Sequence, residues 1–467
     1  MAVIELEFEG GTLVASALPP LYDDADPLAR LLVLDDRTGR YRAPAKHYRE
    51  IVLALKARGL GFQDRARKFD RLGELAIRGE LTPFPHQAAA LDAWCKGGFR
   101  GIVEMPTGAG KTILAVLAIA RTRRPTLVVV PTIDLMLQWQ RVLAKWFEVP
   151  VGMLGGGYKE REDLTVTTYD SAAFQTEFHG NRFGLLVCDE CHHLPAPAYR
   201  FIAEGSIAPF RLGLTATLER TDGGEHVAME LLGPVNYRVA IDALEGQYLA
   251  PYEIETVRVH LNEDEQERYD HARELYINFL RTSGVNLSSP EGWGRFIFLC
   301  HRSDEGREAF QGYREQRRIA LTCQAKIDAL WEILRRHRAD RIIVFTEDNE
   351  TVYRLSRLLF MPALTHQTRP AERKRLLAQF AAGELPMLLT SKVLNEGVDV
   401  PDANVGVILS GSGSVREHVQ RLGRILRKRP DKRAVLYEVL TEVAAESGIS
   451  ERRRQHRAYD RAFAQPS

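Results

Sequence analysis

The most constraining stretch of this 467-residue chain is GIVEMPTGAGKTILAVLAIA, residues 101–120. A short apolar run, a glycine-rich turn and an apolar helical segment follow one another without a spacer. Glycines at 108 and 110 let the backbone N–H groups curl inward before a helix starts at Lys111, and the context such a loop requires is the end of a buried strand. A βα unit of this kind implies a parallel sheet with helices on its faces. Two further strings follow in fixed order, DECHH at 189–193 and QRLGRILR at 420–427.

The rest of the chain fits that start. GIVEM (101–105), TLVVVP (126–131), LTVTTY (164–169), LLVCDE (185–190) and FRLGLTAT (210–217) read as strands with helical segments between them. A second set, RIIVFTE (341–347), MPALTH (361–366), PMLLTS (386–391), NVGVILS (404–410) and AVLYEVL (434–440), repeats the pattern. Near-continuous apolar runs are the mark of parallel strands buried on both faces. The expected fold is therefore α/β, with two parallel-sheet domains in tandem. Residues 1–80 differ. VIELEFEGGTLVAS alternates and turns on Gly10-Gly11, a β-hairpin pattern. LARLLVLDD and TGRYRAP suggest more strand, and HYREIVLALKARG an amphipathic helix ending at Gly59, which together make a small α+β module. The stretch 262–320 is charged, aromatic and helical, and reads either as a linker bundle or as a nucleic-acid gripping element. The divisions expected are 1–80, 81–240, 241–323 and 324–467.

Composition bounds the partners. Hydrophobic residues make up 45% and charged residues 27%, ordinary for a globular protein. Formal net charge is +1, so any nucleic-acid surface has to be local. No apolar run reaches the roughly 18 residues of a membrane span, and the N-terminus lacks the pattern of a signal peptide. Five cysteines without a secretory pattern fit a reducing cytoplasm. Cys188, Cys191 and His192 spell C-x-x-C-H, but no second pair follows at zinc spacing, and apolar packing accounts for Cys188 more simply. The basic ERRRQHRAYDR near the C-terminus reads as a solvated helix or as a phosphate-contacting arm.

The chemistry of the strings is that of ATP hydrolysis. Thr107, Gly108, Ala109 and Gly110 form a phosphate cradle at a helix N-terminus. Lys111 is placed for the β- and γ-phosphates, and Thr112 for Mg2+. Asp189 and Glu190 end an apolar strand where open α/β sheets bind ligands. Asp189 suits the Mg2+ and Glu190 the attacking water. Gln87 lies about one helix upstream, and its amide can take both edges of an adenine or simply face solvent. Arg424 and Arg427 share a helix face and can place charge on a γ-phosphate, with Gln420 able to position the water.

Taken together, LTPFPHQAAAL, MPTGAGKT, VVVPTIDLMLQW, VTTYDSA, DECHH, LGLTAT, IIVFTE, SKVLNEGVDVPDANVGVILSGSGS and QRLGRILR resemble the superfamily 2 helicases, closest to their XPB-like branch, over residues 80–467. The resemblance implies two RecA-like domains with ATP between them. His192 becomes the histidine of the D-E-x-H box. Thr215, Ala216 and Thr217 link ATP state to nucleic-acid grip. Gly397 and Asp399 line the ATP cleft. Pro131, Thr132, Thr168, Thr346 and Thr390 lie along the backbone of the tracked strand, although each threonine could equally be a strand-end cap. Residues 262–320 take the place of a thumb-like element, and residues 1–80 that of a damage-recognition domain. Arg220-Thr221-Asp222 stands where the branch carries Arg-Glu-Asp, so Thr221 puts strand separation in question while leaving hydrolysis intact.

The implied activity is an ATP-dependent 3′→5′ DNA helicase or translocase of DNA repair, acting on single-stranded or forked DNA in the cytoplasm, with a repair nuclease as a candidate partner and no membrane. Two rivals keep the motor: a double-strand translocase of a restriction-type system, and an RNA helicase. A third, a nucleic-acid-binding scaffold without turnover, conflicts with the intact set Lys111, Asp189, Glu190, Arg424 and Arg427.

Overall fold

The computed structural model describes residues 3–19, 21, 26–73, 75–219, 223–287, 289, 291–391, 403–410 and 434–443. They fall into two compact units, the first running to Ala243 and the second starting at Leu244.

The first unit begins with the hairpin β1 (Ile4–Glu9) and β2 (Thr12–Ser16). Its two-residue turn has φ +57° at Gly10 and +80° at Gly11, the left-handed pair a type I′ turn demands. Strands β3 (Val33–Asp35), β4 (Arg40–Pro44) and β5 (Phe62–Asp64) complete a sheet ordered β3-β4-β2-β1-β5. The helix Tyr48–Ala57 buries Tyr48, Ile51 and Leu55 and runs out toward Gly59, as its periodicity suggests. The LARLL segment differs from the strand expected. Asp26 accepts from the Leu28 N–H, Pro27 fills the first turn, and Pro27–Leu31 becomes a short helix.

This module is tied to the sheet that follows it. A Cβ on Gly11 would lie 2.4 Å from the ring of Phe201, so the hairpin turn sits directly on that side chain. Ile207 joins the module's apolar core. Lys46 meets Glu230 at 2.6 Å, and Arg100 meets Glu50 at 2.5 Å.

The main sheet of the first unit comprises β6 (Arg100–Glu104), β7 (Thr126–Val130), β8 (Val151–Gly155), β9 (Tyr158–Glu160), β10 (Leu164–Thr168), β11 (Leu185–Asp189), β12 (Phe210–Thr215) and β13 (Val235–Arg238). Their order is β13-β6-β12-β11-β7-β10-β8-β9, parallel except for β9. All five strands anticipated here are present, and β8, β9 and β13 are additional. The order matters for chemistry. β12 lies between β6 and β11, so the residues leaving β12 stand between the glycine loop and the DECHH string.

The second unit holds β14 (Tyr252–Val259), β15 (Ile342–Phe345), β16 (Ala363–Leu364), β17 (Met387–Thr390), β18 (Val405–Ile408) and β19 (Ala434–Thr441), ordered β14-β19-β18-β15-β17-β16 and parallel throughout. β14 corrects the expected division at 324. It belongs to this sheet, pairing with β19 along its whole length. The helices Glu263–Ser283, Gly292–Cys300 and Asp304–Thr322 are thus inserted after the first strand of the domain. The first of them is closed by an Asn262/Glu265 capping box. It packs closely on the third at Gly312, where a Cβ would meet Ala272 O at 2.5 Å. Among the described residues no helix is long and apolar enough to cross a membrane.

Candidate ATP-hydrolysis site

The glycine loop leaves β6 at Glu104 and enters the helix Lys111–Thr122. Gly108 and Gly110 both have φ +87°, a conformation that costs an L side chain dearly. Gly110 is also pinned from outside, since a Cβ there would lie 2.1 Å from Gln87 Nε2. Lys111 Nζ donates to Met105 O at 3.1 Å and lies 3.9 Å from Glu190 Oε1. Thr112 is the second residue of the helix, and Thr107 lies in the loop before it.

Gln87 is buried, and both ends of its amide are engaged. Its Nε2 donates to Ala109 O (3.2 Å) and Gly110 O (3.4 Å), and its Oε1 accepts from the Phe84 N–H (2.9 Å). His86 Nε2 lies 2.8 Å from Ala109 O. These two side chains brace the loop from behind. In this structure the Gln87 amide serves the glycine loop.

Asp189 ends β11 fully within the protein. Its Oδ2 accepts from the Trp139 indole N–H at 2.8 Å, and its Oδ1 from the Glu190 N–H at 3.1 Å. Tyr169 holds the Asp189 carbonyl with its hydroxyl at 3.0 Å. Burial, and then the neighbouring Glu190 charge, push the Asp189 carboxyl up to about 6, against the pull of Lys111 and the Trp139 donor. Glu190 follows with φ +47°, unusual for a side-chain-bearing residue. That kink turns its carboxylate toward Lys111. Its Oε2 is buried without a hydrogen-bond partner, a strong acceptor aimed into the site.

From there the contacts run to β12. His192 Nδ1 is 3.5 Å from Glu190 Oε2 and 3.1 Å from Thr215 Oγ1. Thr215 gives its own proton to Thr217 O at 2.7 Å. With that proton committed, the hydroxyl accepts from His192, which places a proton on Nδ1. The chain Lys111–Glu190–His192–Thr215–Thr217 links the phosphate loop to the strand between the two motifs.

The expected cap roles are seen at two of the threonines. Thr132 accepts from the Leu135 N–H and caps the helix Ile133–Trp146, and Thr168 accepts from the Ser171 N–H and caps Tyr169–His179. Pro131 follows β7 directly. In the second unit Thr346 and Thr390 end the paired strands β15 and β17. Thr346 donates to Asp348 O at 2.9 Å, while the Thr390 hydroxyl is buried without a hydrogen-bond partner. Arg220, Thr221, Asp222, Gly397, Asp399, Gln420, Arg424 and Arg427 lie outside the described residues. Cys188 and Cys191 are free thiols in the core of the first unit; burial pushes Cys188 up to about 12 and Cys191 higher than usual. No metal-binding cluster of three or more such side chains occurs among the described residues.

The site fits a magnesium nucleotide on three counts: left-handed glycines, one of them with no room for a Cβ, a lysine at a helix N-terminus, and paired acids one of which carries an unsatisfied buried oxygen. A parallel sheet bearing these groups at its strand ends defines a P-loop motor domain of the helicase type. Family models agree: the type III restriction enzyme res subunit matches residues 80–220, the helicase conserved C-terminal domain 325–429, and the xeroderma pigmentosum group B helicase damage recognition domain 6–66. The chain belongs to the XPB-type family of DNA helicases. It is 39% identical over 431 residues to the DNA 3′-5′ translocase XPB2 of Sulfurisphaera tokodaii, covering 92% of this chain and 97% of that protein. It is 33% identical over 369 residues to the DNA 3′-5′ helicase XPB of Mycobacterium tuberculosis, covering 76% of this chain and 60% of that protein. In fold it resembles the helicase domain of Pyrococcus furiosus Hef, with a TM-score of 0.55 at 21% identity over 79% of this chain and 98% of that one.

Trp139, His86 and Tyr169 are site residues that the sequence reading passed over. Trp139 had a signal. It lies in the amphipathic helix after β7, and a buried indole N–H needs an acceptor.

Proposed function

We propose that this chain is an ATP-dependent 3′→5′ DNA translocase and helicase working in DNA repair, through nucleotide excision. The observation that carries the reading is the contact chain from Lys111 through Glu190 and His192 to Thr215. It gives hydrolysis a direct physical line to the strand that precedes Arg220-Thr221-Asp222.

In this mechanism Lys111 and the N–H groups of residues 107–112 bind the phosphates. Thr112 and Asp189 would hold Mg2+, which when bound supplies charge neutralisation for the transferring phosphoryl group. Glu190 orients the water and takes its proton, its free Oε2 being the base. Gln420, Arg424 and Arg427, with Gly397 and Asp399, are further nucleotide-contacting residues in this reading, on the strength of the sequence resemblance. His192 senses the Glu190 carboxylate and passes its position to Thr215. Pro131, Thr132, Thr168, Thr346 and Thr390 meet the DNA backbone through hydroxyls and helix N-termini, so grip is independent of sequence. The protein acts in the cytoplasm, and a repair nuclease uses the strands it exposes.

ATPase rates with no nucleic acid, single-stranded DNA, duplex DNA and RNA test this directly. DNA should stimulate strongly and matched RNA weakly; equal stimulation by RNA would overturn the DNA assignment. A second reading, translocation along duplex DNA without strand separation, is favoured by Thr221 in place of an acid. Triplex displacement without fork unwinding would select it.

A further inference from the structure

The opposite edge of the first unit carries a feature that hydrolysis does not use. The ATP-binding groups leave the C-terminal ends of the strands. At the N-terminal ends, arginines gather from four separate segments. Arg124 precedes β7, Arg182 precedes β11 and Arg161 precedes β10, and β11, β7 and β10 are adjacent in the sheet. The segment that joins the N-terminal module to the sheet adds Arg67 and Arg71.

Backbone contacts fix this arrangement. The Leu72 N–H donates to Arg123 O at 2.9 Å, and Arg123 Nη1 to Gly73 O at 3.4 Å. Gly184 admits the stem of Arg124 and the ring of Phe69 together, each 3.0 Å from where a Cβ would stand. The Lys68 N–H donates to Asn181 O at 3.0 Å, and Asn181 Nδ2 to Ala66 O at 2.8 Å. Arg161 reaches His179 at 3.2 Å. The guanidinium groups are close enough to repel one another: Arg124 is held below its usual value by burial and then by Arg67 and Arg71, and Arg182 by burial and then by Arg161. Arg182 Nε is buried without a hydrogen-bond partner. Asp70 answers only in part, 3.7 Å from Arg67 and itself almost wholly exposed, and Glu162 and Asp163 follow Arg161 in sequence. Asp64 lies 4.0 Å from Arg67 and also takes the Tyr48 hydroxyl and local N–H groups.

Like charges brought together in excess of the acids that meet them, on a chain of net charge +1, mark a local surface for a polyanion. We infer that Arg67, Arg71, Arg123, Arg124, Arg161 and Arg182 form a second DNA-backbone surface, taking duplex DNA without reading its bases. It is separate from the contacts at Thr132 and Thr168, which lie at the other ends of the same strands, about 17 Å away for a strand of this length. The identity of the ligand rests on the DNA-motor reading. The belt would hold duplex flanking the tracked segment and so keep the motor engaged between steps.

The test uses the full chain carrying Arg71→Glu and Arg161→Glu. Both side chains are exposed, and neither belongs to the ATP site. Duplex binding is measured without ATP from 50 to 200 mM salt. Losing two phosphate contacts should flatten the slope of log K against log salt by about 1.8, so that the wild type weakens about tenfold more than the variant across that range. The DNA concentration for half-maximal ATPase should rise while the maximal rate stays unchanged. An unaltered salt slope, in a variant with wild-type melting and DNA-free ATPase, overturns the belt. A lowered maximal rate would assign these residues to the motor instead and also overturn it. Absent DNA stimulation in the wild type would indict the motor reading and not the belt alone. A slope change for RNA or an acidic polypeptide, with none for duplex DNA, would name a different partner and end this proposal.

Discussion

Asp189→Asn should stabilise the first unit while stopping hydrolysis. In the folded protein the Asp189 carboxyl sits at about 6, against an ordinary 3.8, chiefly because burial disfavours its charge. A carboxylate raised in this way binds protons more tightly folded than unfolded. Between about pH 4 and pH 6 stability therefore falls as pH rises, and above pH 6 the full cost is present. A gap of that size corresponds to about 3 kcal/mol. Asparagine is isosteric and uncharged; its one oxygen keeps the Trp139 indole bond, while its NH2 leaves the Glu190 N–H without an acceptor, a loss of about 1 kcal/mol. At pH 7, without nucleotide or Mg2+, the net gain of about 2 kcal/mol should make the variant melt about 4–8 °C above wild type, given about 2–4 °C per kcal/mol for a unit of this size. The advantage should shrink on acidification and vanish near pH 4, where the folded wild-type carboxyl is protonated. Thermal melts of both proteins across pH 4–8 read this out. A variant no more stable than wild type at pH 7, or an advantage that ignores pH, would refute the claim that burial of an ionised Asp189 strains the protein. Adding ATP and Mg2+ should raise the wild-type melting temperature and narrow the difference.

Four other outcomes follow from the site. Lys111→Ala should abolish ATPase with the circular dichroism spectrum retained; wild-type turnover would remove Lys111 from the phosphate site. Glu190→Gln should bind ATP with little loss and hydrolyse it at least about 100-fold more slowly, the usual range for losing a positioned base; a drop under tenfold in single-turnover assays would exclude it as the base. Gly110→Ala should weaken nucleotide binding severely, since its Cβ would strike Gln87 Nε2 and its φ is +87°; calorimetric ATP titration checks this. Thr215→Val removes the acceptor of His192 and should leave DNA-free ATPase nearly intact while cutting its stimulation by DNA several-fold. Equal loss of both rates would show that the His192–Thr215 bond supports hydrolysis itself and not coupling.

What could be read from sequence was what chemistry restricts to few residue types at fixed spacing. A phosphate cradle demands glycine, lysine and threonine in order, and a metal-and-water pair demands adjacent acids at a strand end, so Lys111, Asp189 and Glu190 were legible. Buried parallel strands announced themselves by apolar runs. β14 was missed because Tyr252–Val259 mixes Glu253, Glu255 and Arg258 with apolar residues, and an edge strand needs only one buried face. The bracing of the loop by Gln87 was not legible, because an amide's hydrogen-bonding capacity does not reveal which groups will use it. The arginine belt was invisible. Its members are scattered from 67 to 182 with no run of charge, and only the sheet order brings them together.

The indole bond at Asp189 has a mechanical corollary. Trp139 belongs to the same rigid rod as Thr132, two turns away along Ile133–Trp146. Anything that tugs on the Thr132 end must tilt the indole, and with it the N–H that fixes the orientation of the Asp189 carboxylate. A passing phosphodiester could in this way retune the cation's coordination without touching it, through a lever barely 10 Å long (about 1.5 Å per residue). Fuel consumption would then be gated by the track underfoot, so that the engine idles off the polymer and fires on it.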